Sequence, residues 1–169
     1  WLFLGFIPLP DGTLPTFNRA PNNWAMYIDS SILGKHMWQP DYDPEGFVST
    51  IPAVATCLIG VLIGLLLDKL QNFKTLVFTA FLLLCLGYVL NSWFPINKAI
   101  WSSSFVLVTS GWATFILAII YYLTDIKNIK FGIVFKYVGT NSITIFFLSS
   151  FISKIFYLTQ INENNNLHS

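Results

Sequence analysis

The feature that most constrains this chain is a series of long apolar runs almost free of charged side chains. The first is Phe47–Leu67, and three more follow at Thr75–Phe94, Trp101–Leu123 and Thr140–Leu158. A helix of about 20 apolar residues, rising 1.5 Å per residue, crosses the roughly 30 Å of hydrocarbon in a bilayer. A shorter apolar piece, "FGIVFKYVG", precedes the fourth run. The runs therefore predict four full transmembrane helices plus a partial one.

Composition supports the same conclusion. Charged residues make up 10% of the 169, against roughly 25% in an ordinary soluble domain. Hydrophobic residues reach 54%, and the mean hydropathy is +0.63. A soluble protein of this size could not bury so much apolar surface. We therefore expect an all-α integral membrane helical bundle with the lipid bilayer as its partner. The net charge of +1 gives no electrostatic basis for a nucleic-acid partner.

The apolar runs divide the chain into four parts. Residues 1–9 are interpreted as the end of a truncated transmembrane helix, because they are too short to span a bilayer. Residues 10–46 form a loop with a short amphipathic helix, residues 47–158 form the transmembrane part, and residues 159–169 form a polar tail. From residues 1–9 and 159–169 we expect the chain to be a fragment of a larger bundle.

The short connections between runs indicate an orientation. Positive side chains favour the cytoplasmic side of a membrane. Two loops share four lysines (Lys69, Lys74, Lys127 and Lys130), whereas the loop between them in sequence holds only Lys98. We therefore place the two lysine-rich loops in the cytoplasm and the segment 10–46 on the opposite side.

Two acids stand at the entrance of the first apolar run, in "YDPEGFVSTIPA". Asp43 before Pro44 predicts a helix start, with Asp43 as the N-cap and Glu45 in the first turn. Pro52 should kink the helix about two turns further on. A capped, kinked helix is also what a site lining requires, so both interpretations remain open. Small residues that recur along this helix, including Gly60 and Gly64, suit close helix packing or an oligomer contact.

Three other polar segments allow a structural and a functional interpretation. Asn97 and Lys98 in "WFPINKAIW" either cap the next helix or face a substrate. "VGTNSI" interrupts the last apolar region, and its Asn141 either marks a helix boundary or lines a wet cavity. "NNWAMYIDSSILGKHMW" predicts a short helix that starts at Asn22 or Asn23 and ends at Gly34, followed by His36. The few His, Cys and carboxylate residues predict no metal site.

Four segments together carry a resemblance to a known family: "YIDSSILGKHMW", "YDPEGFVSTIPAVATCLIG", "FPINKAIWSSSFVL" and "VGTNSI". In this order they resemble the C-terminal half of the heparan-alpha-glucosaminide N-acetyltransferase family, including its bacterial relatives. The motif "DPEG" followed by "FPINK..W" is the most specific part. One position departs from the pattern, because Ser30 follows the Asp of "YID" where relatives often carry Arg.

The resemblance implies a multi-span acyltransferase that moves an acetyl group from cytosolic acetyl-CoA to a sugar amine on the far side. It implies a catalytic histidine in a missing N-terminal half, upstream of everything in this sequence. On this basis we expect the acceptor side to be lined by Asp43, Glu45, Asn97, Lys98 and His36. We expect acetyl-CoA to contact Lys69, Lys74, Lys127, Lys130, Asn141 and Ser142, with Asn141 also a candidate to stabilise the oxyanion.

Two alternatives remain at this stage: a transporter or permease subunit, in which the same polar breaks bind a carried solute, and a non-catalytic membrane scaffold. The sequence contains no Asn-X-Ser/Thr glycosylation site. This absence favours a bacterial cytoplasmic (inner) membrane, and the small-residue face is compatible with a homo-oligomer.

Overall fold

The structure, a computed structural model, describes residues 5–37, 43, 45–129 and 132–166, without the side chains of 133–135 and 158–166. Over these residues the fold is helical and contains no strand. Six α-helices are present: α1 Trp24–Leu33, α2 Phe47–Leu70, α3 Phe73–Leu90, α4 Ser103–Tyr121, α5 Ile133–Thr140 and α6 Ser142–Asn166. A short 3-10 turn, Gly34–His36, follows α1, and α4 continues as a π-helical turn over Tyr122–Ile126. The all-α prediction is confirmed.

Three of these helices are long and apolar enough to cross a membrane: Phe47–Leu70, Phe73–Leu90 and Ser103–Ile126. The apolar part of α6 within the described residues, Ser142–Tyr157, is shorter than a span. The integral membrane character is therefore supported, whereas a count of four full spans is not confirmed. The chain forms two compact units, Trp1–Tyr122 and Leu123–Ser169.

In the first unit, helix α1 begins and ends where the sequence predicts. The Asn23 side chain accepts a hydrogen bond from the Ala25 amide (2.8 Å), and Gly34 ends the helix with a positive φ of 52°. The apolar residues of α1 do not form its buried face, because Tyr27 and Ile32 are exposed. The buried residues are Ala25 and Asp29.

The closest helix packing lies between α3 and α4, at two isolated glycines. A Cβ on Gly87 would lie 2.6 Å from the Val108 side chain, and a Cβ on Gly111 would lie 2.8 Å from Leu84. Both distances are too short for real atoms, so these contacts require glycine. In contrast, nothing lies within 4 Å of the Cβ positions of Gly60 and Gly64 in the described part of the chain.

Two turns connect the ends of the long helices. At the α2–α3 turn, Asn72 caps α3 through the Lys74 amide (2.9 Å), and the Tyr121 hydroxyl donates to the Gln71 carbonyl (3.0 Å). At the opposite end of α3, buried Phe94 packs edge-to-face on Phe17 with ring centroids 4.4 Å apart. This aromatic contact attaches the N-terminal loop to the α3–α4 connection.

Candidate functional site

The N-terminus of α2 is not capped as the sequence predicted. The helix begins at Phe47 with Gly46 as its N-cap residue, and the first turn contains no acid. Asp43 precedes the N-cap residue, and its carboxylate accepts a hydrogen bond from the Glu45 amide (2.9 Å). This local two-residue bond is typical of Asp in turns and competes with helix capping. The N-cap role of Asp43 and the first-turn position of Glu45 are therefore wrong.

The hydrogen-bond acceptor for the first amides of α2 comes from α1 instead. Asp29 Oδ1 accepts hydrogen bonds from the amides of Phe47 (2.8 Å) and Val48 (3.4 Å). The Asp29 side chain is buried, with the residue only 3% exposed. A carboxylate at the positive end of a helix dipole is electrostatically favourable. Asp29 therefore caps α2 from a separate helix, 18 residues earlier in the chain.

Gly46 gives the carboxylate of Asp29 room to approach. A Cβ on Gly46 would overlap the Asp29 carboxylate, whose atoms are the three nearest to that position. The φ of Gly46 is −63°, a value that any residue adopts, so the glycine is required for the contact and not for its backbone conformation. The Gly46 carbonyl in turn accepts hydrogen bonds from the hydroxyls of Ser49 and Thr50, both 2.9 Å.

Burial raises the pKa of Asp29 above its ordinary value of 3.8. The hydrogen bonds from the Val48 and Phe47 amides oppose this rise in pKa, and the nearby negative charge of Asp43 adds to it. The pKa of exposed Asp11, in the N-terminal loop, is lowered by hydrogen bonds from Thr13. The pKa values of Asp29 and Asp11 thus shift in opposite directions, because Asp29 is buried whereas Asp11 remains exposed to water.

Asp29 and Asp43 share a small cavity of about 20 Å³ beside the start of α2. Arg19, Asn23 and Ser49 also line it. The volume is close to that needed by one water molecule and far below that of a sugar. The sequence predicted Asn23 only as a helix start, and it did not single out Arg19, Asp29 or Ser49 for a site. For Asp29 the available signal was its position one helical turn after Ala25, the other buried residue of α1.

A larger open groove starts at Glu45 and follows one face of α2. Its volume is about 590 Å³, within the range of small-molecule sites. The mouth is polar, with Glu45, Ser49 and Thr50, and the remainder is lined by apolar residues of α2 as far as Val61. Trp101 borders the groove, held by a hydrogen bond from its indole N–H to the Thr56 hydroxyl (3.1 Å).

The α3–α4 loop holds Asn97 firmly and leaves Lys98 exposed. The Asn97 side-chain amide donates to the Phe17 carbonyl (2.9 Å), and its oxygen accepts from the Ala99 amide (2.9 Å). The Asn97 backbone amide donates to the hydroxyl of Ser102, the N-cap of α4 (3.0 Å). Ser102 caps α4, so the interpretation of Asn97 and Lys98 as the cap of that helix is wrong; Asn97 instead holds the loop against the N-terminal segment. His36 lies exposed at the end of the 3-10 turn.

The predicted donor-side lysines occupy exposed positions where the structure describes them. Lys69 is in the last turn of α2, and Lys74 in the first turn of α3, so both lie at the α2–α3 turn. Lys98 lies beyond the other end of α3, which as an 18-residue helix is about 27 Å long. Lys127 belongs to the second unit, and Lys130 lies outside the described residues.

Asn141 and Ser142 mark a helix boundary in the second unit. Asn141 ends α5, and its side-chain amide donates to the Tyr137 carbonyl (2.9 Å). Ser142 is the first residue of α6, and both side chains are exposed. Of the two interpretations left open for "VGTNSI", these contacts agree with the helix boundary.

Comparisons with known proteins identify similar sequences. No protein-family model matches the chain. The heparan-alpha-glucosaminide N-acetyltransferase of Mus musculus is 31% identical, over 86% of this chain and 28% of the mouse protein. The enzyme of the same name from Homo sapiens is 32% identical, over 86% of this chain and 27% of the human protein. The chain thus spans little more than a quarter of the length of these relatives.

Among the residues that the structure describes, no group of three His, Cys, Asp or Glu side chains could hold a metal ion. The candidate site comprises a buried cap on α2, an open groove beside it and exposed lysines at the other end of α2. The predicted resemblance is confirmed by the sequence similarity alone: over 86% of its length the chain is similar to two heparan-alpha-glucosaminide N-acetyltransferases.

Proposed function

We propose that this chain is part of an integral membrane acetyltransferase. It transfers an acetyl group from acetyl-CoA at the cytoplasmic face to the amino group of a sugar on the other side. The observation that carries the proposal is the identity of 31% and 32% to two heparan-alpha-glucosaminide N-acetyltransferases over 86% of the chain. In this reaction the amine nitrogen attacks the thioester carbonyl, a C–N bond forms, and the C–S bond to CoA breaks. The amine proton passes to a general base.

The acceptor enters on the side of Asp43 and Glu45. The mouth of the α2 groove is polar, and these two carboxylates attract an amino sugar, which is cationic until it loses its proton. Lys98 and His36 are exposed members of the same predicted set, and Asn97 holds the loop that presents Lys98. The groove volume is large enough for a sugar, whereas the cavity at Asp29 is not.

The donor binds at the lysine-rich loops. Lys69, Lys74, Lys127 and Lys130 attract the phosphates of CoA, and Asn141 with Ser142 lies near the thioester. An amide donor such as Asn141 stabilises the developing oxyanion, an effect typically worth about 3 kcal/mol. The general base is a histidine supplied by a part of the protein beyond this sequence, as the family resemblance implies.

The proposed membrane arrangement has four full spans, with α6 as the fourth, in a larger bundle completed by an N-terminal half. The lysine-rich loops face the cytoplasm of a bacterial cell. The absence of Asn-X-Ser/Thr sites supports the inner membrane, and the small-residue face of α2 supports a homo-oligomer. The positive-inside distribution of lysines supports this orientation.

The direct test uses the natural full-length protein in detergent, supplied with acetyl-CoA and methyl α-glucosaminide. We expect release of free CoA together with an N-acetylated sugar detected by mass spectrometry. Proteoliposomes loaded with the same sugar provide the opposing test. Counterflow of the sugar without acetyl-CoA and without acetylation supports the permease alternative and contradicts the enzyme.

The donor-side assignment predicts different effects for two matched lysines at opposite ends of α3. Lys74→Gln should raise the KM for acetyl-CoA several-fold, because a charge near the CoA phosphates is lost, whereas Lys98→Gln should leave it unchanged. Initial rates at varied acetyl-CoA and low salt measure both. Equal KM values in the two variants would remove Lys74 from the donor site.

The oxyanion assignment predicts that Asn141→Ala lowers kcat by about 100-fold with little change in either KM. The matched control is Ser149→Ala, which changes an exposed residue of α6 whose hydroxyl bonds within its own helix, to the Phe146 carbonyl (2.8 Å). Unchanged turnover in Asn141→Ala would exclude this residue from the oxyanion site.

A further inference from the structure

We propose that Asp29 is a positioning residue for the acceptor site, acting through Gly46 and the start of α2. This inference rests on the proposed function, because it takes Asp43 and Glu45 as the residues that border the acceptor. Asp29 itself is buried among α1, α2 and the N-terminal loop and does not line the groove.

The first step of the argument is that a single contact fixes where α2 begins. The Asp29 carboxylate accepts from the Phe47 amide (2.8 Å), while Gly46 contributes no side-chain cap of its own. The first amides of a helix have no partner within it and need an external acceptor. Without Asp29, the first amide of α2 loses that acceptor.

The second step is that the acceptor-side acids are attached directly to this helix start. Glu45 precedes Gly46 in sequence, and the Gly46 amide donates to the Asp43 carbonyl (3.4 Å). The Glu45 amide donates to the Asp43 carboxylate (2.9 Å). A displacement of Gly46 therefore moves both acids relative to the groove that opens at Glu45.

The third step is steric. The Asp29 carboxylate occupies the position that a Cβ on residue 46 would take, whereas the backbone conformation there suits any residue. A methyl group at position 46 is thus excluded by Asp29 itself. This makes the pair Asp29 and Gly46 separable by a double-mutant cycle, in which residues in contact give non-additive effects.

Charged groups around Asp29 come from two directions. Asp43 lies upstream of α2 and Arg19 in the N-terminal loop, and both line the same small cavity. Burial favours the protonated form of Asp29, whereas the two amide donors favour the carboxylate. The capping contact survives removal of the charge provided that an oxygen acceptor remains, so Asp29→Asn is the conservative variant.

The experiment uses the natural full-length protein with five variants: Asp29→Ala, Asp29→Asn, Gly46→Ala, the double variant Asp29→Ala/Gly46→Ala, and Ser31→Ala. Ser31 is the matched control on α1, because it is exposed and its hydroxyl bonds within its own helix. For each protein, kcat and both KM values are measured with acetyl-CoA and methyl α-glucosaminide, together with the thermal unfolding midpoint.

Asp29→Ala and Gly46→Ala should each lower kcat/KM for the sugar by about tenfold, because displaced acids at the groove mouth orient the sugar less well. Neither should change the KM for acetyl-CoA by more than about twofold, because the proposed donor side lies at the other end of α2. Asp29→Asn should restore most of the activity, and Ser31→Ala should behave as the wild type. The double variant should be no worse than Asp29→Ala alone.

Additive losses in the cycle, or a harmless Gly46→Ala, would overturn the contact on which the inference depends. An equal loss of kcat/KM for the sugar and for acetyl-CoA would show that Asp29 has only a structural role. A wild-type protein that transfers no acetyl group would refute the proposed function, and the positioning role with it. The unfolding midpoints would then still report whether the Asp29–Gly46 contact exists.

Discussion

The two sides of helix α4 show opposite kinds of contact. Towards α3, backbones approach closely at Gly87 and Gly111, which meet Val108 and Leu84. Towards α2, an open groove of about 300 Å³ remains, lined by Gly60 and by α4 residues that include Ser110. The spacing of Gly60 and Gly64 matches a helix-packing motif, and the isolated glycines match none. Close packing is therefore decided by the partner surface and not by the spacing of glycines.

The largest expected effect comes from replacing glycine by alanine at the close α3–α4 contact and at the open groove between α2 and α4. Gly87→Ala should lower the free energy of unfolding by about 1–3 kcal/mol, because the new methyl group overlaps Val108. Gly60→Ala should instead raise it by about 0.5–1 kcal/mol, since alanine favours the helix and the position is open. Thermal unfolding of the purified protein in detergent measures both. A destabilising Gly60→Ala would show that this face is covered in the natural protein.

Two serines on the same helix sharpen the comparison. The buried Ser102 hydroxyl accepts from the Asn97 amide (3.0 Å) and the Phe105 amide (3.3 Å), so Ser102→Ala should cost about 1–3 kcal/mol. The buried Ser110 hydroxyl, which faces the groove side, has no hydrogen-bond partner among the described residues. Ser110→Ala should therefore be neutral or stabilising. Denaturant unfolding compares the two, and a clear loss in Ser110→Ala would show that the groove supplies a partner.

The smallest effect concerns pH at the start of α2. Because burial raises the pKa of Asp29, the native state binds a proton there more tightly than the unfolded chain does. Between the ordinary pKa and the raised one, the contribution of Asp29 to stability should fall as pH rises, and it should be constant above that window. Unfolding midpoints across this acidic range should show the slope in the wild type and lose it in Asp29→Asn. An unchanged slope in Asp29→Asn would assign the pH dependence to other groups.

Local chain features predicted the bounds of the short helix but not which of its residues would be buried. Asn23 and Gly34 bound α1 as expected, because capping and termination depend on neighbouring residues. The buried side of α1 depends on what packs against it. The first turn of α2 needed a hydrogen-bond acceptor, and the Asp29 carboxylate supplied it. Asp29 is therefore buried, whereas Tyr27 and Ile32 of the same helix are exposed.

The sequence named individual residues of the candidate site, but it did not predict the contacts that they make. The sequence singled out Asp43, Glu45 and Asn97, and the structure places Glu45 at the mouth of a groove and Asn97 in a loop contact with Phe17. The contact between Asn97 and Phe17 crosses 80 positions, and that between Asp29 and Phe47 crosses 18. Pairings over such distances leave no periodic signal in one sequence.

The sequence by itself determined that the chain is helical, that it lies in a membrane and which family it resembles. Hydrocarbon thickness and backbone hydrogen bonding restrict long apolar runs to helices, so composition and length are sufficient. Only the tertiary structure decided which acid caps α2, which glycines pack and where grooves remain open. Those outcomes depend on which surfaces meet in three dimensions, and many residues of suitable chemistry compete for each of them.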